Sequence, residues 1–434
     1  MRVFPALIVV VSALTAVSAA DAQWRSERPY RGLFAGGVGE TEQSLTATGS
    51  LGTGWDTNLV ADALGRRNGR ISDVGSQFRG GVTTGSAVLS YSLNRAAVGL
   101  GATAGTTARY YPSLGGRIIR REYASVGAGA SLGAGFSAQA GASYQPYSLR
   151  SMMPSLFEPR LVDPVIVDED FPTSLEHYFS YNAGLGYGRR LTPRGTFSAS
   201  YGYRARERVG VLTDRFASHG ASAGYAYAMT RNLSMQLGYG YSRALYGRSE
   251  FGNHFVNAGV NYNRALSFSR RTTMSFGTGS TASRRSRSEA MRFRATGMAR
   301  LNHEIGRSWS ASLSYNRGLS YVETWPEPVF SDTAVAGVGG LLNRRVQAQV
   351  TARALRGSGY FNSDGNRMQL YGGSAALTVA LTRYINSGVT YSYYRQVFGE
   401  RIMVAPGFPN DLERQSIRVF VSAWVPLYQS ARRP

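Results

Sequence analysis

Residues 232–246 read NLSMQLGYGYSRALY, and the parity of this stretch decides the fold. Leu233, Met235, Leu237, Tyr239 and Tyr241 fall on one face of an extended chain, and Ser234, Gln236, Gly238, Gly240 and Ser242 on the other. A period of two is the signature of a β-strand, because successive side chains leave opposite faces of the pleat. One face is large and apolar; the other is small and polar. A soluble sandwich would bury the apolar face against a second sheet. A chain of many equal hairpins, each with small polar residues opposite an aromatic, apolar face, fits a barrel wall in lipid instead.

The pattern repeats outward from this segment. Phe197, Ala199, Tyr201 and Tyr203 oppose Ser198, Ser200, Gly202 and Arg204; Trp309, Ala311, Leu313 and Tyr315 oppose Ser310, Ser312, Ser314 and Asn316. Ile385, Val389, Tyr391 and Tyr393 oppose Asn386, Gly388, Thr390 and Ser392. Arginines just after short polar breaks mark the beat, 36 to 40 residues apart: Arg194, Arg231, Arg271, Arg307, Arg345 and Arg383. Each beat is one hairpin of two long strands. Propeller blades of similar period need a breaker every 8 to 12 residues, and helical repeats need a different periodicity, so both are excluded.

Short breaks fall at 94–95, 133–135, 192–195, 230–232, 269–271, 306–308, 343–345 and 382–383. Longer connections alternate with them at 59–73, 112–118, 150–174, 207–214, 247–252, 283–288, 322–332, 359–366 and 399–413. With a first strand near 45–58 and a last near 414–426, the count is about 18 antiparallel up-and-down strands, within a range of 16 to 20. The stretches 30–39 and 74–84 are where that count is most easily changed. An even number of strands puts both termini on one side, the periplasm.

The N-terminus supplies the compartment. Arg2, the apolar run Ala6 to Val17 and the small residues ending Ala20-Asp21-Ala22 form a secretory signal with cleavage after Ala22 or after an earlier alanine. The division expected is a signal peptide over 1–22, a periplasmic segment over 23–44, a barrel over 45–428 and a tail over 429–434. No other stretch approaches the roughly 20 apolar residues of a spanning helix, and the mean hydropathy is −0.21. Cysteine is absent, so no lipid anchor is attached through one. The 52 glycines follow no collagen period and sit inside alternating strands, where they let the wall bend. Localisation in the outer membrane of a Gram-negative-type bacterium follows. Its partners there are outer-membrane lipid and lipopolysaccharide, with the barrel-assembly machinery.

All 48 cationic residues are arginine, against 26 acids, a net charge of +22. Nucleic acid is not the expected partner of an exported chain whose arginines are spread along strands and rims. Parity places Arg204 and Arg206 inward beside Ser200 and Gly202. It places Arg292, Arg294 and Arg300 opposite Met291, Phe293, Ala295, Ala299 and Leu301, and Arg353 beside Gln347, Gln349 and Thr351. These six line the bore. They either form ladders with acids of a folded-in loop or create a field favouring a small anionic solute or an anionic polysaccharide. Arg117, Arg120, Arg121, Arg248, Arg284, Arg285 and Arg287, near the long connections, either sit on solvated loops or pair with phosphates of outer-leaflet lipid.

The connection over 150–174 is unlike the others. It holds four prolines and the acids Glu158, Asp163, Asp168, Glu169 and Asp170, which exclude it from the wall. It folds inward as a constriction or stands outside as a lid. The run 168–170 is a solvated acidic turn, since its ligand spacing is irregular, and no metal or cofactor is expected. His177, His219 and His254 fall near the outer strand ends on the lipid side, with no adjacent serine nucleophile motif. An outer-membrane hydrolase is therefore the least favoured reading, behind a porin-like channel and a plugged structural or surface-binding barrel.

Residues 49–60 read GSLGTGWDTNLV. The strand end Gly54, Trp55, Asp56, Thr57, Asn58 resembles the first strand of the β-barrel porins that accompany bacterial exopolysaccharide and capsule export. The resemblance implies an outer-membrane conduit, and with the strand count it extends in architecture over the mature chain. One departure stands at the other end: the last strand, IRVFVSAWVPLY, is followed by QSARRP, so Trp424 or Tyr428 must serve as the aromatic signal for barrel assembly.

Overall fold

In a computed structural model the alternating segments pair into one antiparallel sheet of 18 strands that closes on itself. The structure describes residues 41–58, 79–148, 172–209, 215–231, 233–246, 249–262, 271–284, 291–320, 328–360, 367–399 and 411–431. The strands are β1 (Thr41–Asp56), β2 (Gly80–Asn94), β3 (Val98–Tyr111), β4 (Arg117–Gly133), β5 (Phe136–Ser148) and β6 (Pro172–Arg190). There follow β7 (Gly195–Arg208), β8 (Arg215–Ala228), β9 (Leu233–Tyr246), β10 (Ser249–Tyr262), β11 (Thr272–Arg284) and β12 (Arg292–Ile305). The last six are β13 (Trp309–Ser320), β14 (Val329–Leu341), β15 (Val346–Gly359), β16 (Arg367–Ala380), β17 (Ile385–Phe398) and β18 (Asp411–Ala431). Each strand pairs with its sequence neighbours, and β1 pairs with β18.

Closure matters physically because it leaves no sheet edge, so the backbone groups of the wall find their partners inside the sheet. Following the register around the barrel puts Leu237, Leu313, Val350, Ile417, Val419 and Leu51 on one continuous face, each about half exposed or more. Side chains of this size, left uncovered all round the molecule, belong against hydrocarbon. The barrel is therefore an outer-membrane structure. Among the described residues no helix is long and apolar enough to cross a membrane, which leaves crossing to the strands.

The opposite, inward face is small and hydroxylic. Ser44 and Ser92, Ser50 and Ser86, Ser200 and Ser222, Thr351 and Ser374, and Ser392 and Ser416 join side chain to side chain across neighbouring strands at 2.6–2.8 Å. These pairs satisfy polar groups within the wall.

Four of the short turns share one construction. The N–H of Leu191, Met229, Leu342 and Leu381 donates to the carbonyl of Gly195, Leu233, Val346 and Ile385, each at 2.9 Å. In three of them the next side chain pins the loop: Thr230 accepts from the Leu233 N–H, Asn343 from those of Arg345 and Val346, and Thr382 from those of Tyr384 and Ile385. In those four turns an arginine of the beat falls two or three residues after the donor: Arg194, Arg231, Arg345 and Arg383. The carbonyls of Arg194, Arg271 and Arg345 accept from the N–H of Ala228, Glu304 and Ala380, carrying the ladder one step past the strand ends.

Several boundaries differ from the sequence reading, among them the start of β14 at Val329 and of β18 at Asp411, inside the connections expected at 322–332 and 399–413. The wall begins at Thr41 and ends at Ala431 rather than at 45 and 428, because Thr41 pairs with Ala431 and Gln43 with Ser430. Those terminal residues are polar on both faces and lie beyond the apolar belt, so parity carries no signal there. The connection expected at 247–252 shrinks to 247–248, since Glu250 already belongs to β10 and pairs with Arg243 of β9 at 2.6 Å. The signal peptide, the stretch 30–39 and the acidic residues Glu158, Asp163, Asp168, Glu169 and Asp170 lie outside the described residues.

Candidate functional site

The motif Gly54–Asn58 sits where the barrel closes. Asp56 is fully buried on the inward face of β1, and Arg414 of β18 grips it through Nε, at 3.0 Å from Oδ1 and 2.9 Å from Oδ2, and through Nη2. Arg418, two inward positions further along, brings Nη2 to 4.0 Å from the same carboxylate. The Asn58 N–H donates to Asp56 at 2.9 Å, while the Thr57 N–H donates to the Gln415 carbonyl and the Gln415 N–H returns a bond to the Thr57 hydroxyl. The motif thus fastens first strand to last. Glycine at 54 is required by the same packing: a Cβ there would stand 2.1 Å from the Ile417 carbonyl oxygen and 2.7 Å from Arg418 Cγ.

Around the rest of the wall most of the inward arginines lie toward the long connections, Arg300 being nearer the short-turn end of β12. Arg206 is buried with its guanidinium 4.7 Å above the Tyr178 ring, and Tyr178 donates to Gln145. Arg204 and Arg353 share the inward face with it, Arg353 against Gly372. Arg292, Arg294 and Arg300 lie inward as parity requires, yet they are not equivalent. Arg294 donates to the Tyr360 carbonyl at 3.2 Å and packs over the Phe330 and Tyr360 rings at 5.1 and 5.2 Å. Tyr360, just past β15, reaches across the inner wall; its hydroxyl donates to the Arg292 carbonyl at 2.5 Å and lies 3.3 Å from that of Thr281. Burial raises its phenol above the ordinary value of 10.0, an effect opposed by a backbone hydrogen bond and by Arg294 and Arg292. With Phe251 and Phe330, this residue forms a packed knot at the end of the long connections.

Charge is distributed differently on the two faces. On the outward side arginine meets acid: Arg243 with Glu250 at 2.6 Å, Arg317 with Asp332 at 3.7 Å and Arg395 with Asp411 at 3.5 Å. Ion pairs are what a charged residue needs at a lipid interface. On the inward side the arginines Arg109, Arg121, Arg414 and Arg418 join the six named from sequence. Against them, Asp56 is the inward carboxylate of the long-connection half among the described side chains. Arg121, grouped with the lipid-facing set on sequence, points inward, because Arg120 pairs with outward Ala108 and its neighbour takes the other face.

Arg414 and Arg418 went unread in the sequence although the signal was present: they share parity with Ser416 and oppose Ile417 and Val419. His254 is hydrogen-bonded to Tyr239 at 2.7 Å and lies 4.8 Å from the Tyr241 ring, and His177 stacks on Tyr144 at 4.8 Å, so both belong to an aromatic girdle. Among the described residues no group of three potential ligands is placed to hold a metal.

No protein-family model matches the chain, and no curated protein matches it. Solved structures do. OpdL of Pseudomonas aeruginosa is 11% identical over 89% of this chain and 99% of its own, with a TM-score of 0.44. OccK2 (OpdF) of the same organism, crystallised with glucuronate, is 12% identical over 89% and 99%, with a TM-score of 0.44. The FrpB iron transporter of Neisseria meningitidis (F3-3 variant) is 8% identical over 90% and 82%, with a TM-score of 0.47. At these identities and TM-scores, function has to be read from this chain's own wall.

Proposed function

We propose that the barrel is a porin-like outer-membrane channel favouring small anionic solutes, with both termini and the short turns in the periplasm. The observation that carries this is the charge of the inward wall: in its long-connection half an excess of arginine faces Asp56 as the carboxylate among the described side chains, whereas outward Arg243, Arg317 and Arg395 each meet an acid. A barrel of 16 to 18 strands encloses an aqueous channel, and in a confined bore with low-dielectric walls an excess of fixed positive charge concentrates anions. The guanidinium plane suits carboxylate and phosphate alike. Conduction of an anionic exopolysaccharide, which the resemblance at Gly54–Asn58 implies, is a narrower form of the same proposal.

Reversal potentials of the refolded chain in planar bilayers under a salt gradient test it. Anion preference is expected at low salt, and Arg300→Glu with Arg353→Glu should reduce or invert it. The effect should fade toward 1 M, where the Debye length is about 3 Å. A conducting pore without ion preference would overturn the anion reading. A second reading, a barrel closed at its outer end, is favoured by the burial of Tyr111, Tyr178, Phe251, Tyr360, Met368 and Leu370 around that end, each at most 2% exposed. In that case a correctly folded protein carries no current.

A further inference from the structure

We propose that the short-turn rim is a binding ring for anionic phospholipid headgroups of the leaflet it meets. Each element of the ring pairs an apolar side chain directed at lipid with an arginine two or three positions later. Leu191 precedes Arg194, Met229 precedes Arg231, Ile305 precedes Arg307, Leu342 precedes Arg345 and Leu381 precedes Arg383. The apolar members continue the outward parity of their strands and are 43–60% exposed. The arginines are exposed as well.

Turn construction fixes the depth of these arginines. Each short turn keeps its arginine within about 10 Å, along the chain, of a residue seated in hydrocarbon, so a guanidinium cannot extend far from the bilayer. The level just outside the hydrocarbon is that of lipid phosphates, which guanidinium groups bind with paired hydrogen bonds. Acids do not compete: among the described residues the carboxylates at this rim are Glu42, which pairs with Arg95 at 2.6 Å, and Glu304. Arg383 is steadied over the Tyr384 ring at 4.6 Å. A soluble acidic partner would account for the arginines but not for an exposed Leu, Met or Ile at the base of each turn. A lipid surface accounts for both.

The test uses the full chain in nanodiscs containing phosphatidylcholine and phosphatidylglycerol, with the lipids retained after mild detergent exchange counted by native mass spectrometry. Phosphatidylglycerol should be enriched, at roughly fivefold per arginine at an anionic surface as an upper scale, and the enrichment should decline with salt. Arg231→Gln with Arg307→Gln, Arg345→Gln and Arg383→Gln should abolish most of it while the heat-dependent gel shift persists. The corresponding four Arg→Lys changes should retain much of it. Equal retention of the two lipids by the unmodified barrel would overturn the proposal without recourse to any variant. So would an enrichment unaffected by the four Gln substitutions in a folded barrel.

Discussion

Asp56 and Arg414, 358 positions apart, form a buried bidentate ion pair at the seam where the first strand meets the last. Both are almost inaccessible, at 0% and 1% exposure, so removal of one partner strands a charge where water does not reach. Arg414→Ala or Asp56→Asn should cost about 3–5 kcal/mol and lower the temperature at which the barrel loses its compact gel mobility. The double variant Asp56→Leu with Arg414→Leu should cost less than the two single changes together. Additive losses would show that the residues do not act as a pair.

Two inward glycines, one on β1 and one on β3, provide a comparison. A Cβ at Gly54 meets the Ile417 carbonyl, whereas a Cβ at Gly101 meets nothing within 4 Å. Gly54→Ala should therefore impair closure and slow refolding in detergent. Gly101→Ala should be neutral or stabilise by about 0.4–1 kcal/mol through a less flexible unfolded chain. Similar refolding yields for the two variants would remove the seam's steric role.

Adjacent residues of β9 test the facing of the wall. Leu237 is 55% exposed on the outward face, so Leu237→Arg should destabilise by about 2–4 kcal/mol if it lies at the bilayer midplane. Gln236 faces inward beside Gly259, and Gln236→Arg should be tolerated. Urea unfolding in lipid vesicles separates the two.

The knot at Tyr360 should respond to both mutation and pH. Tyr360→Phe removes a donor to the Arg292 and Thr281 carbonyls, a loss of about 0.5–1.5 kcal/mol for a typical hydrogen bond, and Arg294→Ala releases its backbone. Either change should increase open-channel current or its fluctuations if the knot narrows the bore. Because folding raises the phenol's pKa, the neutral form is favoured in the native barrel. Its contribution is whole below the unfolded value near 10 and is lost as pH climbs through the higher folded value. Alkaline loosening of the channel should thus occur in the wild type and be absent from Tyr360→Phe.

Much of this molecule was legible along the chain because barrel strands are simple local objects. Leu233 to Tyr241 show their two faces by parity alone, and the arginine after each turn marks the hairpin period, so strand number and inward residues such as Arg204 and Arg353 follow from spacing. Pairing between distant residues has no local signature. Nothing in the neighbourhood of Asp56 announces Arg414 as its partner, and nothing near Arg294 announces Tyr360, a residue 66 positions away that crosses two strands to reach it. Register and closure decided those contacts: the same parity that sent three arginines of β12 inward placed the Arg294 guanidinium over an aromatic knot, left Arg292 to meet that knot through its carbonyl, and put Arg300 further along the wall. Parity is a property of each strand by itself, whereas the surroundings of an inward side chain depend on which strand ends the closed barrel brings beside it.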